Sequence, residues 1–301
     1  MEDEMRKKIV FFLVKINLAI VLTIFLAVGP VNGQDFPDGL IGISSTGPAI
    51  LYSIDEATGH ATPIVTLNGY ASVTGLAFLQ RTLYGTDLGG FPGSVSSENI
   101  GSISAGGTID FLGIQNGSFN WFGLAADETR GILYTIDNDK SNILTAQFPN
   151  GLVETIGSGA GINGCGMEYD DTHGILYALS SDASLYTVST ETGTASLIGP
   201  TEIESASSSV GLAYDECSQI LYANYGNLNQ LYTLDVTTGT ATLVGPNGVG
   251  DVIDGLAWKG PCGPSAITSQ IPTLSEWGLI AMAGILGIAG FIVIHRKKAI
   301  A

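Results

Sequence analysis

The chain has 301 residues, with 28 acidic side chains against 11 basic ones and a net charge of −17. A surface this acidic repels nucleic acid and anionic lipid headgroups, so nucleic-acid binding is excluded. With only three histidines and three cysteines, neither a three-histidine metal site nor a paired-cysteine zinc pattern can be built.

At the N-terminus, Arg6, Lys7 and Lys8 precede an apolar run from Ile9 to Val28 that only Lys15 and Asn17 interrupt. Val31 and Gly33 then stand at minus three and minus one of a cleavage before Gln34. That order of charged, apolar and small residues predicts a secretory signal peptide over residues 1–33, with the helical apolar part from Ile16 to Val28. An uncleaved anchor is the alternative reading of so long a run. Between residues 34 and 270 the basic side chains are only Arg81, Arg130, Lys140 and Lys259, against 24 acidic ones, a balance of −20. This is a soluble, exported composition.

Residues 34–262 form a repeat array. One signature recurs as Gly-Leu-Ala-Phe (75–78), Gly-Leu-Ala-Ala-Asp (123–127), Gly-Met-Glu-Tyr-Asp (166–170), Gly-Leu-Ala-Tyr-Asp (211–215) and Gly-Leu-Ala-Trp (255–258). Its glycines are 48, 43, 45 and 44 residues apart. A second signature is Leu83-Tyr84, Leu133-Tyr134, Leu176-Tyr177 and Leu221-Tyr222. The third is a strand running into a Thr-Gly turn at Gly59, Gly193 and Gly239, and the fourth a short apolar strand closing on Ile198-Gly199 or Val244-Gly245. Four β-rich segments in about 45 residues is the period of a propeller blade. Glycines 193 and 239 fit the left-handed position of a bulged hairpin. Asp127, Asp170 and Asp215 fit turn initiation, with a ring of cation ligands as the alternative.

The tally is five blades in an all-β propeller. The array opens at Gly39-Leu40-Ile41-Gly42, which corresponds to a second strand, and ends on a lone first strand, Gly255 to Trp258. Joining the two would close the ring and remove free sheet edges. Blade two carries an insertion from Gly89 to Glu98, and blade three a degenerate third strand around Asn142 to Phe148. An open β-solenoid is the rival architecture.

Cys217 and Cys262 occupy equivalent links on adjacent blades, six and seven residues after Gly211 and Gly255. Export to an oxidising space permits a disulfide between them, worth about 3–4 kcal/mol in the chain-entropy model. Cys165 starts an inner strand and reads as a buried thiol; three unpaired thiols are the alternative.

Candidate chemistry is thin. His60 and His173 sit in turns of different blades, and no histidine stands near an inner strand end as a nucleophile–base pair requires. Asp137 to Asn142 copies the opening of a calcium loop but lacks its sixth-position glycine and has Phe148 in place of the closing glutamate. No metal ligand set and no cofactor is expected. Trp121 and Phe122 precede an inner strand, where core packing or a ligand-facing mouth are the two readings.

After a polar linker (263–270), the tail over residues 271–301 runs Ile271, Pro272, Thr273, Leu274, Ser275, Glu276, Trp277, Gly278, then an uncharged apolar stretch, then Arg296, Lys297 and Lys298. Trp277 to Ile294 would be about 27 Å long as a helix, near the roughly 30 Å bilayer core. Trp277 suits an interfacial anchor and the three basic residues suit the cytoplasmic end. A transmembrane helix over 277–294 is expected.

Residues 271–298 resemble the IPTL-CTERM sorting tail of Gram-negative bacteria, whose pattern Ile-Pro-Thr-Leu-x-x-Trp-Gly is matched at every fixed position by Ile271, Pro272, Thr273, Leu274, Trp277 and Gly278. The resemblance implies recognition by an exosortase-type processing enzyme, removal or replacement of the tail, and delivery to the cell surface or matrix. The tail's helix would anchor the chain in the membrane only until then. The repeats also resemble those of bacterial secreted β-propellers, a likeness that assigns no activity. The expected function is a non-catalytic surface module that binds a glycan, matrix polymer or neighbouring protein. The alternative is an extracellular enzyme acting on a polymer with carboxylates at the propeller mouth. Carboxylates of raised pKa in one polar pocket would favour the enzyme, and a uniformly solvated acidic rim the binder.

Overall fold

Each repeat contains one segment that is apolar on both sides of the strand and one that alternates, and these demand different places in a stack of sheets. Ile132–Asp137, Ile175–Ser180 and Ile220–Tyr225 are buried along nearly their whole length, whereas Ala195–Pro200 and Ala241–Pro246 leave much of their length exposed. In the computed structural model they are the second and the outermost strands of four-stranded antiparallel blades.

The structure describes residues 36–45, 47–68, 73–87, 99–112, 121–137, 143–148, 150–203 and 210–260. The chain divides into two compact units, Met1–Phe36 and Pro37–Ala301. All of the first but its last residue lies outside the described residues, as do the expected signal peptide and the expected tail helix. Among the described residues no helix is long and apolar enough to cross a membrane.

The described residues of the second unit form five sheets. Blade 1 holds β1 (Gly39–Ser44), β2 (Ile50–Ile54) and β3 (Ala61–Thr66). Blade 2 holds β4 (Val73–Leu79), β5 (Thr82–Asp87), β6 (Asn99–Ile103) and β7 (Ile109–Phe111). Blade 3 holds β8 (Trp121–Asp127), β9 (Ile132–Asp137), β10 (Ile143–Gln147) and β11 (Val153–Ile156). Blade 4 holds β12 (Gly164–Asp170), β13 (Ile175–Ser180), β14 (Ser184–Val188) and β15 (Ala195–Pro200). Blade 5 holds β16 (Val210–Asp215), β17 (Ile220–Tyr225), β18 (Gln230–Leu234) and β19 (Ala241–Pro246). The last strand, β20 (Ile253–Lys259), lies beside β1 in the first sheet, with Leu40 opposite Trp258 and Ile41 opposite Ala257.

The all-β, five-bladed architecture expected from the repeats is the one observed. Five separate four-stranded sheets exclude the solenoid, in which sheets would run on through successive repeats. Two details differ from expectation. The third strand of blade 3 is a full one, paired on both sides with β9 and β11. Trp121 and Phe122 are the first residues of β8, not residues ahead of it.

The core lies between blades, not within them. Tyr134, Ile136 and Leu144 of blade 3 pack with Met167, Tyr169 and Leu176 of blade 4, and comparable clusters join blade 2 to 3, 4 to 5 and 5 to 1. One blade alone cannot bury its apolar faces, so stability requires the stack. The second and first signatures supply matched aromatics for it. Tyr134 meets Tyr169 at 5.9 Å between ring centroids, Tyr177 meets Tyr214 at 6.1 Å, and Tyr222 stacks on Trp258 at 6.2 Å. In each pair one ring comes from a second strand and the other from the inner strand of the next blade.

Candidate functional site on the acidic face

The inner strands β4, β8, β12, β16 and β20 pack on one another in that order, and β20 packs on β4. The signature glycine is what lets them come so close. A Cβ on Gly166 would meet the Val210 carbonyl oxygen at 2.8 Å, one on Gly123 the Met167 nitrogen at 2.8 Å, and one on Gly75 the Gly123 carbonyl carbon at 2.9 Å. Backbone therefore lies on backbone around the axis. The Thr86 hydroxyl accepts the Gly75 N–H at 2.9 Å, and the Thr135 hydroxyl donates to the Gly123 carbonyl at 2.9 Å, which fixes strand ends here. The space between these five strands has no room for a water molecule. At the level of these glycines the axis is filled.

The links from first to second strand and from third to fourth emerge on one face of the disc, since alternate turns of an antiparallel sheet share a side. This face is acidic. At the ends of β8, β12 and β16 a buried aspartate shapes the link. Asp127 accepts the Arg130 N–H at 2.7 Å and its guanidinium at 3.1 Å. Asp170 accepts the His173 N–H at 2.9 Å and lies 2.7 Å from His173 Nδ1; burial, and after it the charge of Asp170, raises the pKa of Tyr214 in the next blade. Asp215 accepts the Cys217 N–H at 2.8 Å and the Ser218 hydroxyl. These three carboxylates are turn-makers, as expected, and Asp127, Asp170 and Asp215 do not form a cation ring. Among the described residues no group of three or more His, Cys, Asp or Glu side chains could hold a metal ion.

The next residue in three of the links is acidic too and ties one blade to its neighbour. Both Glu128 carboxylate oxygens accept the Gln80 N–H at 2.8 Å. Asp171 accepts the Glu128 and Thr129 N–H groups at 3.1 and 3.2 Å, and Glu216 accepts the Asp171 N–H at 2.9 Å. A staircase of carboxylates thus runs from blade 2 to blade 5. Burial raises the pKa of Glu128, Asp171 and Glu216 despite these bonds. Close to Glu216 and Asp171 lies Glu168, whose Oε2 is buried without a hydrogen-bond partner. Burial pushes its pKa well above the carboxylate range, and the nearby charges of Glu216 and Asp171 push the same way.

Sequence reasoning missed this set. The signal for Glu168 was present: it stands where the other four repeats have Ala77, Ala125, Ala213 and Ala257. The staircase had a fainter signal, an acidic residue directly after each turn aspartate.

A polar groove of about 390 Å³ runs along blade 1, lined by Asp38, Asp55, Glu56 and His60 among others. Its acidic groups also hold structure. Glu56 accepts the Leu40 N–H at 3.1 Å, and hydrogen bonds from Thr58 and Ala57 hold the Asp55 carboxyl below its ordinary pKa. Asp38 pairs with Lys259 at 3.3 Å. His60 lines the groove, while His173 stands in the link of blade 4.

Of the other residues singled out in the sequence, Asp137 ends β9 and residues 138–142 lie outside the described residues, so the calcium-like segment is not seen whole. Cys217 is disulfide-bonded. Cys262, the motif residues Ile271, Pro272, Thr273, Leu274, Trp277 and Gly278, and the basic Arg296, Lys297 and Lys298 lie outside the described residues.

A chain from the crystal structure of a nidogen/laminin complex shares the fold, with a TM-score of 0.51, 15% identity, and coverage of 73% of this chain and 97% of that one. A structural-genomics protein of unknown function from Bacteroides thetaiotaomicron gives a TM-score of 0.44 at 16% identity, over 68% of this chain and 57% of that one. No curated protein matches the sequence. Residues 270–296 match the family described as IPTL-CTERM motif. The chain thus joins a five-bladed β-propeller to an IPTL-CTERM motif.

Proposed function

We propose that this chain is an exported surface propeller that binds a glycan, a matrix polymer or a neighbouring protein without catalysis. Its ring is closed by β1 and β20 sharing one blade. Its tail engages an exosortase-type processing enzyme, anchors the chain in the membrane through residues 277–294 until it is processed, and is then removed or replaced. The matched IPTL-CTERM motif at residues 270–296 is the single observation that carries the export and sorting reading.

The filled axis supports a binding role. With the axis filled at the level of the signature glycines, a partner meets the rims and the outer strands, where Leu197 and Leu243 are 62% and 52% exposed. A chain of the same fold belongs to the nidogen/laminin complex, an assembly of two proteins, which is in keeping with a partner-binding disc. The second reading, an enzyme acting on an extracellular polymer, draws on the raised carboxylates around Glu168. Against it, Glu128, Asp171 and Glu216 are engaged with backbone N–H groups of neighbouring links.

Intact-mass measurement of the protein in the host's surface fraction tests the sorting reading. Loss of mass from within residues 271–301 is the expected result, and a full-length tail there would overturn it. Incubating the exported protein with matrix polysaccharide separates the two classes: retention without release of reducing ends marks a binder, and steady release abolished by Glu168→Gln marks an enzyme.

A further inference from the structure

Cys217 is disulfide-bonded, and Cys165 and Cys262 are the other two cysteines of the chain. The strands decide between them. A Cβ on Gly166 would meet the Val210 carbonyl oxygen at 2.8 Å, so Cys165 in β12 lies level with the start of β16. Cys217 lies beyond the other end of β16, its N–H donated to Asp215 at 2.8 Å. The five steps from Val210 to Asp215 alone span about 17 Å at the rise of a strand. A disulfide needs Cα atoms within about 7 Å. Cys165 is out of reach.

The end of β20, three residues before Cys262 in the sequence, is at the right level. A Cβ on Gly211 would lie 2.5 Å from the Leu256 nitrogen and 2.8 Å from the Gly255 carbonyl carbon, which sets β16 and β20 side by side with Asp215 near Lys259. Cys217 follows Asp215 by two residues and Cys262 follows Lys259 by three, a reach of about 10 Å.

We infer that Cys217 and Cys262 are joined, and that the bond replaces the chain link that blade 1 lacks. In the other four blades the inner strand turns directly into the second strand, through residues 80–81, 128–131, 171–174 and 216–219. The end of β20 has no such link to β1, because β1 comes from the opposite end of the array. Lys259 at the end of β20 pairs with Asp38, a carboxylate 74% exposed, so this ion pair is a weak tie. The disulfide ties this end to blade 5. A pull applied beyond residue 262 then reaches the link of blade 5 and does not peel β20 from β1. In forming it, each cysteine gives up its thiol proton, and the two electrons pass to a disulfide oxidant of the exported compartment, which leaves as its dithiol.

Peptide mapping of the exported protein without reduction, after alkylation of free thiols, tests the pairing. The expected result is a cross-linked peptide holding Cys217 and Cys262, with Cys165 alkylated once the chain is unfolded. A link to Cys165, an intermolecular dimer or an alkylated Cys217 would each overturn the inference. Amide hydrogen exchange tests the role. Mild reduction of the folded protein should speed exchange in residues 253–259 at least tenfold while β12 and β13 stay unchanged. Cys262→Ser should reproduce that pattern and Cys165→Ser should not; if Cys262→Ser does not fold, reduction of the folded wild type gives the same reading. Unchanged exchange in β20, or an equal rise in all blades, refutes the replacement role.

Discussion

Gly211 rests directly on the backbone of Gly255, so that a Cβ on the first would stand 2.8 Å from the carbonyl carbon of the second. Neither neighbour can give way, because both belong to inner strands held in sheets. Gly211→Ala must therefore push β16 and β20 apart. We expect a loss of about 1–3 kcal/mol, the range for overpacking a filled core. Gly250→Ala, where nothing lies within 4 Å, should change stability by no more than about 0.5 kcal/mol. Urea midpoints of the two variants check the contrast; equal midpoints would show that the axis is not tightly packed.

A second glycine contact recurs at the outer strands. The turn glycine of one blade lies against the glycine that ends the outer strand of the previous blade, as Gly239 against Gly199 and Gly59 against Gly245. Gly239 also has φ of +82°, which a side chain tolerates poorly. Gly239→Ala therefore meets strain and overlap together, and about 1–3 kcal/mol should be lost. Hydrogen exchange should rise first in β15, β18 and β19, at that seam. A rise spread evenly over all five blades would contradict the local contact.

Asp170 is a buried acceptor that holds the link of its own blade. Replacing it with alanine leaves the His173 N–H without its acceptor, at about 1–3 kcal/mol for a buried unsatisfied group. Asp170→Asn keeps one oxygen and should lose less. Thermal melts order the three proteins as wild type, then Asn, then Ala; an alanine variant as stable as wild type would remove the turn-making role.

The blade count was legible because each repeat solves the same two packing problems with the same residues. Glycine sits where inner strands touch, and a tyrosine sits where an aromatic of the next blade arrives. The strand in blade 3 read as degenerate because Asn142 to Phe148 lacks the Leu-Tyr pattern, yet pairing on both sides makes Ile143–Gln147 a strand whatever its propensity. The carboxylate staircase was hidden for another reason. Glu128, Asp171 and Glu216 bond to backbone N–H groups of the blade before their own, and a backbone donor leaves no mark in sequence.

Glu168 breaks the alanine rule of its position, and its carboxyl has no full set of partners in exchange. The unfolded chain would titrate it near the ordinary 4.5, whereas in the fold burial raises that value well above. A raised acid stabilises the fold below the unfolded pKa, and that stability is lost as pH rises toward the folded pKa. Glu128, Asp171 and Glu216 are raised too and act with the same sign. Asp55 and Asp235 have lowered values and act oppositely, losing stability only as pH falls below about 4. Stability should therefore decline from mildly acid to neutral pH. Glu168→Ala restores the residue used by the other repeats and removes a buried ionisable group, so it should stabilise the fold at pH 7 by about 1–3 kcal/mol. Glu168→Gln, nearly the same shape, should flatten the pH slope as well. Urea unfolding at pH 5 and pH 7.5 measures both effects. An unchanged slope in both variants would mean that the carboxyl is already solvated in the fold.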